Sequence, residues 1–309
     1  MQDYKIFTGS AHTKFSECVA KELGVELSKA ELTRFSDGEI GIRICESVRG
    51  KDVFVIQSTC APANDNLMEL LIMTDALKRS SAKSINVIMP YFGYARQDRK
   101  AAPRVPISAK LVADLLQRAG ITRLVAMDLH AGQIQGFFDI PVDNLYGSIV
   151  FKEHIIAKNF KNPIVASPDI GGVARARYFA KLLGLDIVIV DKRREKANES
   201  EVMNIIGSVE GKDVIMIDDM IDTAGTMVKA ASAFKQKGAT SVTALGTHAV
   251  FSGPAYERIA TSEIDEVIVT DTIPLKQIND KIKILSVAPL FAEVIKRINK
   301  DESVNSLFS

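Results

Sequence analysis

VIMIDDMIDTAGT, residues 214–226, decides the fold. An apolar run ends in two acids, a third acid follows three positions later, and then comes Thr-Ala-Gly-Thr. The run reads as a buried strand ending at Asp218 and Asp219. Asp222, Thr223, Ala224, Gly225 and Thr226 then turn into a helix starting near Met227. Open α/β sheets bind ligands beyond the carboxyl ends of their strands. A helix start offers backbone N–H groups and a positive dipole end, which favour phosphate. Gly225 permits close backbone approach, and the threonine hydroxyls add donors. The carboxylates would repel that phosphate, so they face sugar hydroxyls or Mg²⁺. The pattern points to a phosphorylated sugar. A lone Asp-Asp pair serves as well to cap the next helix; the complete unit carries the reading.

Similar short apolar runs recur along the chain. Residues 52–58, 85–91, 123–129, 163–169, 186–192, 213–219, 241–248 and 266–271 read as buried strands, rich in Val and Ile and bounded by Gly, Asp or Pro. Helical patterns lie between them, at 66–82, 108–120 and 173–184. Strands alternating with helices predict parallel sheets covered on both faces. The halves also resemble each other. Gly-Lys-Asp-Val precedes a strand at 50–53 and again at 211–214, and ITRLVAMD (121–128) matches IDEVIVTD (264–271) in pattern. This predicts two copies of one α/β domain, joined near 144–148. The last stretch, 290–309, reads as a helix with an apolar tail whose Phe308 must dock, on the N-terminal domain or on a neighbouring subunit.

Composition narrows the class. The 309 residues are 47% hydrophobic, enough for two cores. Lys and Arg total 39 against 38 Asp and Glu, a net charge of +1, which gives no footprint for nucleic acid. No apolar run approaches the roughly 20 residues that span a bilayer, and no basic-then-apolar leader opens the chain. Cys18, Cys45 and Cys60 lack metal or disulfide spacing and read as buried free thiols in a reducing cytoplasm.

Five further segments carry chemistry. In RFSDGEIGIRI (34–44), Phe35, Asp37, Gly38 and Glu39 form a loop; an aromatic face stacks on a purine and acids accept from its amino group. An ordinary turn reads the same way. Arg96, Gln97 and Arg99 lie in YFGYARQDRK (91–100), a solvated loop or a phosphate-binding one. His130 follows Asp128 at a strand end; a lone histidine is more often structural, and Mg²⁺ prefers oxygen. Asp169, Ile170, Gly171 and Gly172 make a second strand-end turn, a tight connection or a pyrophosphate cradle. Lys192, Arg193 and Arg194 follow a strand and precede polar EKANESE, either a solvated face or cations at the root of a loop that closes over a substrate.

DDMIDTAGT resembles the phosphoribosyl-pyrophosphate loop of type I phosphoribosyltransferases and of ribose-phosphate pyrophosphokinases. With 34–44, 91–100, 127–145, 167–176 and 191–207 in family order, the chain resembles the pyrophosphokinases over essentially its full length, and most resembles the phosphate-activated, ADP-inhibited class I enzymes. The resemblance implies two tandem duplicated phosphoribosyltransferase-like domains (1–146 and 147–289), each a mainly parallel sheet flanked by helices, and a C-terminal helix and tail (290–309). It implies transfer of a diphosphoryl group from ATP to ribose 5-phosphate, with Mg²⁺, two ions per site. A phosphoribosyltransferase, or a silent regulator of the same fold, is the alternative.

Residue by residue, the resemblance implies that Phe35, Asp37, Gly38, Glu39, Arg96, Gln97 and Arg99 bind ATP. Lys192 and Arg194 would be catalytic. Arg194, Asp218, Asp219 and 222–226 would bind ribose 5-phosphate. Residues 169–172 would hold pyrophosphate, and His130 with Asp169 would bind metal. Ser47, Arg49, Lys100, Arg104, Ser303 and Phe308 would form regulatory nucleotide sites at the interfaces of a homohexamer.

Overall fold

A computed structural model describes residues 4–193, 202–277 and 279–308. The chain divides into two compact units. The first comprises residues 1–146, 272–274 and 287–309; the second comprises 147–271 and 275–286.

In the first unit, strands β1 (Tyr4–Thr8), β4 (Asp52–Ile56), β5 (Ser84–Met89), β6 (Arg123–Met127) and β7 (Val142–Leu145) form one sheet, in the order β1-β4-β5-β6-β7. All its pairs are parallel. A hairpin of β2 (Ala30–Arg34) and β3 (Ile40–Ile44) stands apart as a two-stranded sheet. Helices α1 (Thr13–Leu23), α2 (Ala63–Arg79) and α3 (Ser108–Ala119) supply the crossovers. β4 and β5 are buried at every position after the first, because a parallel sheet covered on both faces shows no water-facing side. Phe7, Val53, Leu70, Met73, Leu77, Val87 and Leu124 belong to one core cluster.

The second unit opens with α4 (Ser148–Lys158) and then repeats the same order of elements. β8 (Pro163–Ser167), α5 (Val173–Leu183), the antiparallel pair β9 (Ile187–Arg193) and β10 (Val202–Ile206), β11 (Asp213–Ile221), α6 (Gly225–Gln236), β12 (Ser241–Ala249), α7 (Ala255–Thr261), β13 (Glu266–Thr270) and β14 (Ile282–Leu285) follow. Here the hairpin joins the main sheet, giving the order β10-β9-β8-β11-β12-β13-β14. Phe234, Met216, Ala230, Val242 and Val267 lie in the core on one side, and Phe151, Phe179 and Ile215 in a second cluster. Burying each phenylalanine contributes about 2–3 kcal/mol.

The repeated Gly-Lys-Asp-Val turns are superimposable in their bonding. Gly50 and Gly211 both sit at positive φ, 69° and 66°. Lys51 N–H donates to Val48 O and Lys212 N–H to Val209 O, both at 3.1 Å. Lys83 N–H donates to Lys51 O and Thr240 N–H to Lys212 O, both at 2.8 Å.

The last helix, α8 (Ala288–Asn299), belongs to the first unit and packs on α1, with Phe15 and Phe291 edge to face at 5.6 Å. Arg297 holds the tail behind it: its Nη1 donates to Ser303 O at 2.8 Å and bonds Ser306 Oγ. Phe308 docks edge to face on Tyr146 at 5.8 Å, within the same unit.

Several expectations need correcting. β11 runs through Ile221 rather than stopping at Asp219, because β12 pairs with it as far as Ile221↔Ala249. Helix α6 starts at Gly225 rather than near Met227. Phe35, Asp37, Gly38 and Glu39 form the tip of a β-hairpin rather than a plain loop. Of the three free cysteines, Cys60 is buried, Cys18 is half-buried and Cys45 is exposed.

Candidate functional site

In the second unit, the chain leaves β8 through α5 toward β9 on one side and leaves β11 through α6 toward β12 on the other. The crevice between β8 and β11 is therefore a topological switch point, where open sheets place ligands. β8 pairs with β11 only as far as Ala166↔Met216, while β11 continues for five residues beyond. Asp218 and Asp219 sit on that overhang.

The turn after β8 faces the same notch. Asp169 Oδ1 accepts the Gly172 amide at 2.9 Å, and Ser167 Oγ donates to Asp169 O at 2.6 Å. A methyl group on Gly172 would lie 3.0 Å from Ser167 Oγ and 3.9 Å from Asp218 Oδ1. Glycine there lets the 169–172 turn close on the acids. Asp219 is buried, and its amide donates to Asp218 Oδ1 at 2.9 Å. Burial, then the charges of Asp219 and Asp169, push the Asp218 carboxyl well above the ordinary range.

Ala224 adopts the left-handed region (φ 59°, ψ −1°) ahead of α6, whose first helical bond runs from Val228 N–H to Ala224 O at 3.0 Å. The amides of the first turn thus precede the helical ladder. Loop 250–254 and α7 line the outer side of this turn. Ser252 Oγ donates to the Asp222 carboxylate, and Arg258 Nη1 donates to Thr223 O at 3.0 Å. A Cβ on Gly225 would stand 3.2 Å from Arg258 Nη1. Sequence reasoning missed Ser252 and Arg258; on their own, a serine and an arginine 26 and 32 positions beyond Thr226 carry no signal.

Lys192 lies on β9 opposite Met203 of β10. Arg194 and the segment 195–201 lie outside the described residues.

In the first unit, Phe35 stands at the hairpin tip, 61% exposed. Its N–H donates to Glu39 O and its O accepts from Gly38 N–H, each at 2.9 Å; the Glu39 amide donates to Asp37 Oδ1 at 3.1 Å. Gly38 has φ 93°, which the tight tip requires. The Phe35 ring passes over Gly41, where an added Cβ would lie 3.2 Å from it. So large an exposed aromatic, held by backbone bonds, suits stacking on a planar ligand.

Arg96, Gln97 and Arg99 are exposed on the turn after β5. Gln97 O accepts from the Ala109 amide at 3.1 Å and its side-chain oxygen accepts from Ser108 Oγ, tying that turn to the start of α3. His130 is exposed just beyond β6, after a buried Asp128 at φ 39°. Ser47, Arg49, Lys100 and Arg104 are exposed in the loops after β3 and β5. The structure thus groups the expected residues as two sets, one in each unit, and brings 169–172 together with 218–226.

Residues 4–120 match the model of the N-terminal domain of ribose phosphate pyrophosphokinase, and residues 193–309 that of the phosphoribosyl synthetase-associated domain. Ribose-phosphate pyrophosphokinase from Wolinella succinogenes is 74% identical over 308 residues, with 100% of each chain covered. The one from Helicobacter hepaticus is 72% identical at the same coverage. The crystal structure of phosphoribosylpyrophosphate synthetase from Mycobacterium smegmatis superimposes with a TM-score of 0.92 at 43% identity, covering 97% of this chain and 99% of that one.

The chain belongs to the ribose-phosphate pyrophosphokinase family. The expected α/β fold, parallel sheets flanked by helices, is shared with the Mycobacterium smegmatis structure. In this pyrophosphokinase fold the DDMIDTAGT unit stands at the switch point of the second unit. No helix among the described residues is long and apolar enough to cross a membrane.

Proposed function

We propose that the protein transfers the β,γ-diphosphoryl group of ATP to the 1-hydroxyl of ribose 5-phosphate, releasing AMP and 5-phosphoribosyl 1-pyrophosphate. The observation that carries this reading is the notch between β8 and β11, where a two-glycine turn and a Thr-Ala-Gly-Thr helix start flank half-buried Asp218 and buried Asp219. A sugar phosphate needs that combination: amides for its phosphate and carboxylates for its hydroxyls.

Residues 222–226 seat the 5-phosphate. Asp218 and Asp219 accept from the ribose hydroxyls and orient the anomeric oxygen. Residues 169–172 hold the diphosphoryl group through their amides. Phe35 stacks on the purine, with Asp37 and Glu39 accepting from its amino group; Arg96, Gln97 and Arg99 bind the rest of the nucleotide. The anomeric oxygen attacks the β-phosphorus in line and releases its proton to solvent, while the bond from the β-phosphorus to the oxygen it shares with the α-phosphorus breaks, and AMP leaves with that oxygen. Such chemistry needs positioning and charge stabilisation more than a protein nucleophile. Lys192 and Arg194 supply positive charge where it develops on the phosphate oxygens.

Mg²⁺ fits the donor set in part. Asp169 and Asp218 offer hard oxygen ligands, and the crowding that raises the Asp218 carboxyl is what a dication relieves. Among the described residues no group of three or more His, Cys, Asp or Glu forms a complete cage. An ion that arrives on a triphosphate needs only one or two protein donors. Asp169, with His130, would hold it, and it would neutralise phosphate charge.

The same family reading extends to assembly and control: a cytoplasmic homohexamer, activated by phosphate and inhibited by ADP through Ser47, Arg49, Lys100, Arg104, Ser303 and Phe308. Leu111 and Leu115, exposed one turn apart on α3, support a subunit contact.

Phosphorus NMR of the protein with ribose 5-phosphate, ATP and Mg²⁺ tests the reaction. AMP and a new sugar diphosphate are expected. Formation of ADP would mean γ-transfer and would overturn the reading.

A further inference from the structure

Three successive carbonyls of the 221–226 turn are claimed by one neighbouring segment. Phe251 N–H donates to Ile221 O at 3.0 Å, Ser252 N–H to Asp222 O at 3.1 Å, and Arg258 Nη1 to Thr223 O at 3.0 Å. Ser252 Oγ adds a bond to the Asp222 carboxylate. The segment is itself tightly determined. Phe251 holds φ 42°, sparsely populated for a bulky residue, yet its ring is buried and meets Tyr256 edge to face at 5.1 Å. Arg258 is anchored on α7, its own amide donating to Pro254 O at 2.9 Å.

The consequence follows from peptide geometry. In a trans peptide the C=O of one residue and the N–H of the next point in opposite directions. Fixing Thr223 O on Arg258 therefore aims the Ala224 N–H to the opposite side, away from the guanidinium. It also holds Ala224 in the left-handed conformation that leads into α6. A carbonyl turned the other way would face an anion and repel it. Gly225 completes the arrangement, since a side chain there would crowd Arg258 Nη1 at 3.2 Å.

We propose that Arg258 is a positioning residue for the sugar-phosphate seat: it pins the Thr223 carbonyl outward and so presents the turn's amides to the 5-phosphate. Its positive charge beside the turn favours the same anion. The role is specific to one substrate, because Arg258 braces only the 221–226 turn, whereas the groups proposed for the adenine nucleotide, Phe35, Asp37, Glu39, Arg96, Gln97 and Arg99, belong to the first unit. The inference rests on 222–226 being that seat.

Steady-state kinetics of the full-length Arg258→Ala, Arg258→Lys and Thr226→Ala variants, with melting temperatures, test it. Arg258→Ala is expected to raise KM for ribose 5-phosphate about tenfold, the worth of one charge-assisted hydrogen bond. KM for ATP should stay within about twofold, by the same arithmetic. Arg258→Lys keeps the charge and one donor, so its KM should be intermediate; it decides the matter if the alanine variant does not fold. Thr226→Ala, inside the turn, should raise the same KM. If Thr226→Ala raises it and neither Arg258 variant does, the bracing role is wrong and the phosphate seat stands. If Thr226→Ala leaves it unchanged, the seat itself is misassigned and the inference falls with it. An equal rise in both substrates' KM would make Arg258 a general structural residue and overturn the specific role.

Discussion

Ser241 Oγ donates to Asp213 Oδ1 at 2.6 Å, and Ser84 Oγ donates to Asp52 Oδ1 at 2.6 Å in the other unit. Each bond ties the first residue of one strand to the first residue of its neighbour, and in both the aspartate is the third residue of Gly-Lys-Asp-Val. The Ser241 hydroxyl chiefly, with the amides of Asn162 and Lys161, holds the Asp213 carboxyl below its ordinary value. A depressed carboxyl contributes stability above its unfolded-state pKa and loses it as pH falls through the folded value. Ser241→Ala should therefore cost about 1 kcal/mol at neutral pH. That deficit should narrow in urea unfolding as the pH falls below about 4. A deficit independent of pH would assign the bond's worth to packing alone.

Asp218 sits in an environment hostile to its own charge. Asp218→Asn should raise the melting temperature of the ligand-free protein by about 2–4 °C, the shift worth about 1 kcal/mol in a chain of this size. The same change should remove most of the activity, since an amide accepts less strongly from ribose hydroxyls. A variant both less stable and fully active would contradict the account of the notch.

Phe35 can be removed without touching a core, because it is exposed at a hairpin tip. Phe35→Ala should raise KM for ATP by about tenfold or more, as expected for loss of one base-stacking platform. It should leave KM for ribose 5-phosphate and the melting temperature unchanged. A KM for ATP equal to that of the parent enzyme would exclude stacking.

Lys192 is assigned to stabilise charge that develops only during transfer. Lys192→Ala should lower kcat by about a thousandfold while leaving both KM values near normal. Near-normal turnover would remove Lys192 from the mechanism.

Much of the second unit was legible because its strands are buried on both faces. Residues 163–169, 213–219, 241–248 and 266–271 are near-continuous apolar runs, and each falls on a strand of the main sheet. Strands outside that condition escaped. β2, β3 and β14 have no buried position, and β7 has four residues, only one of them buried. Edge and hairpin strands are held by backbone pairing, which leaves little mark on composition. The end of β11 was misjudged for a related reason: polar Asp218 and Asp219 look like a strand end, yet pairing with β12 carries the strand past them.

By itself the sequence determined the α/β class, the duplication and the chemistry of the DDMIDTAGT unit, because these depend on local periodicity and on residue types at fixed spacing. Only the tertiary structure decided what closes around that unit. The 169–172 turn approaches Asp218 across 46 positions of sequence, and Arg258 reaches Thr223 across 35. No local pattern encodes such contacts: they exist because parallel strands β8, β11 and β12 bring their carboxyl ends to one side of a sheet.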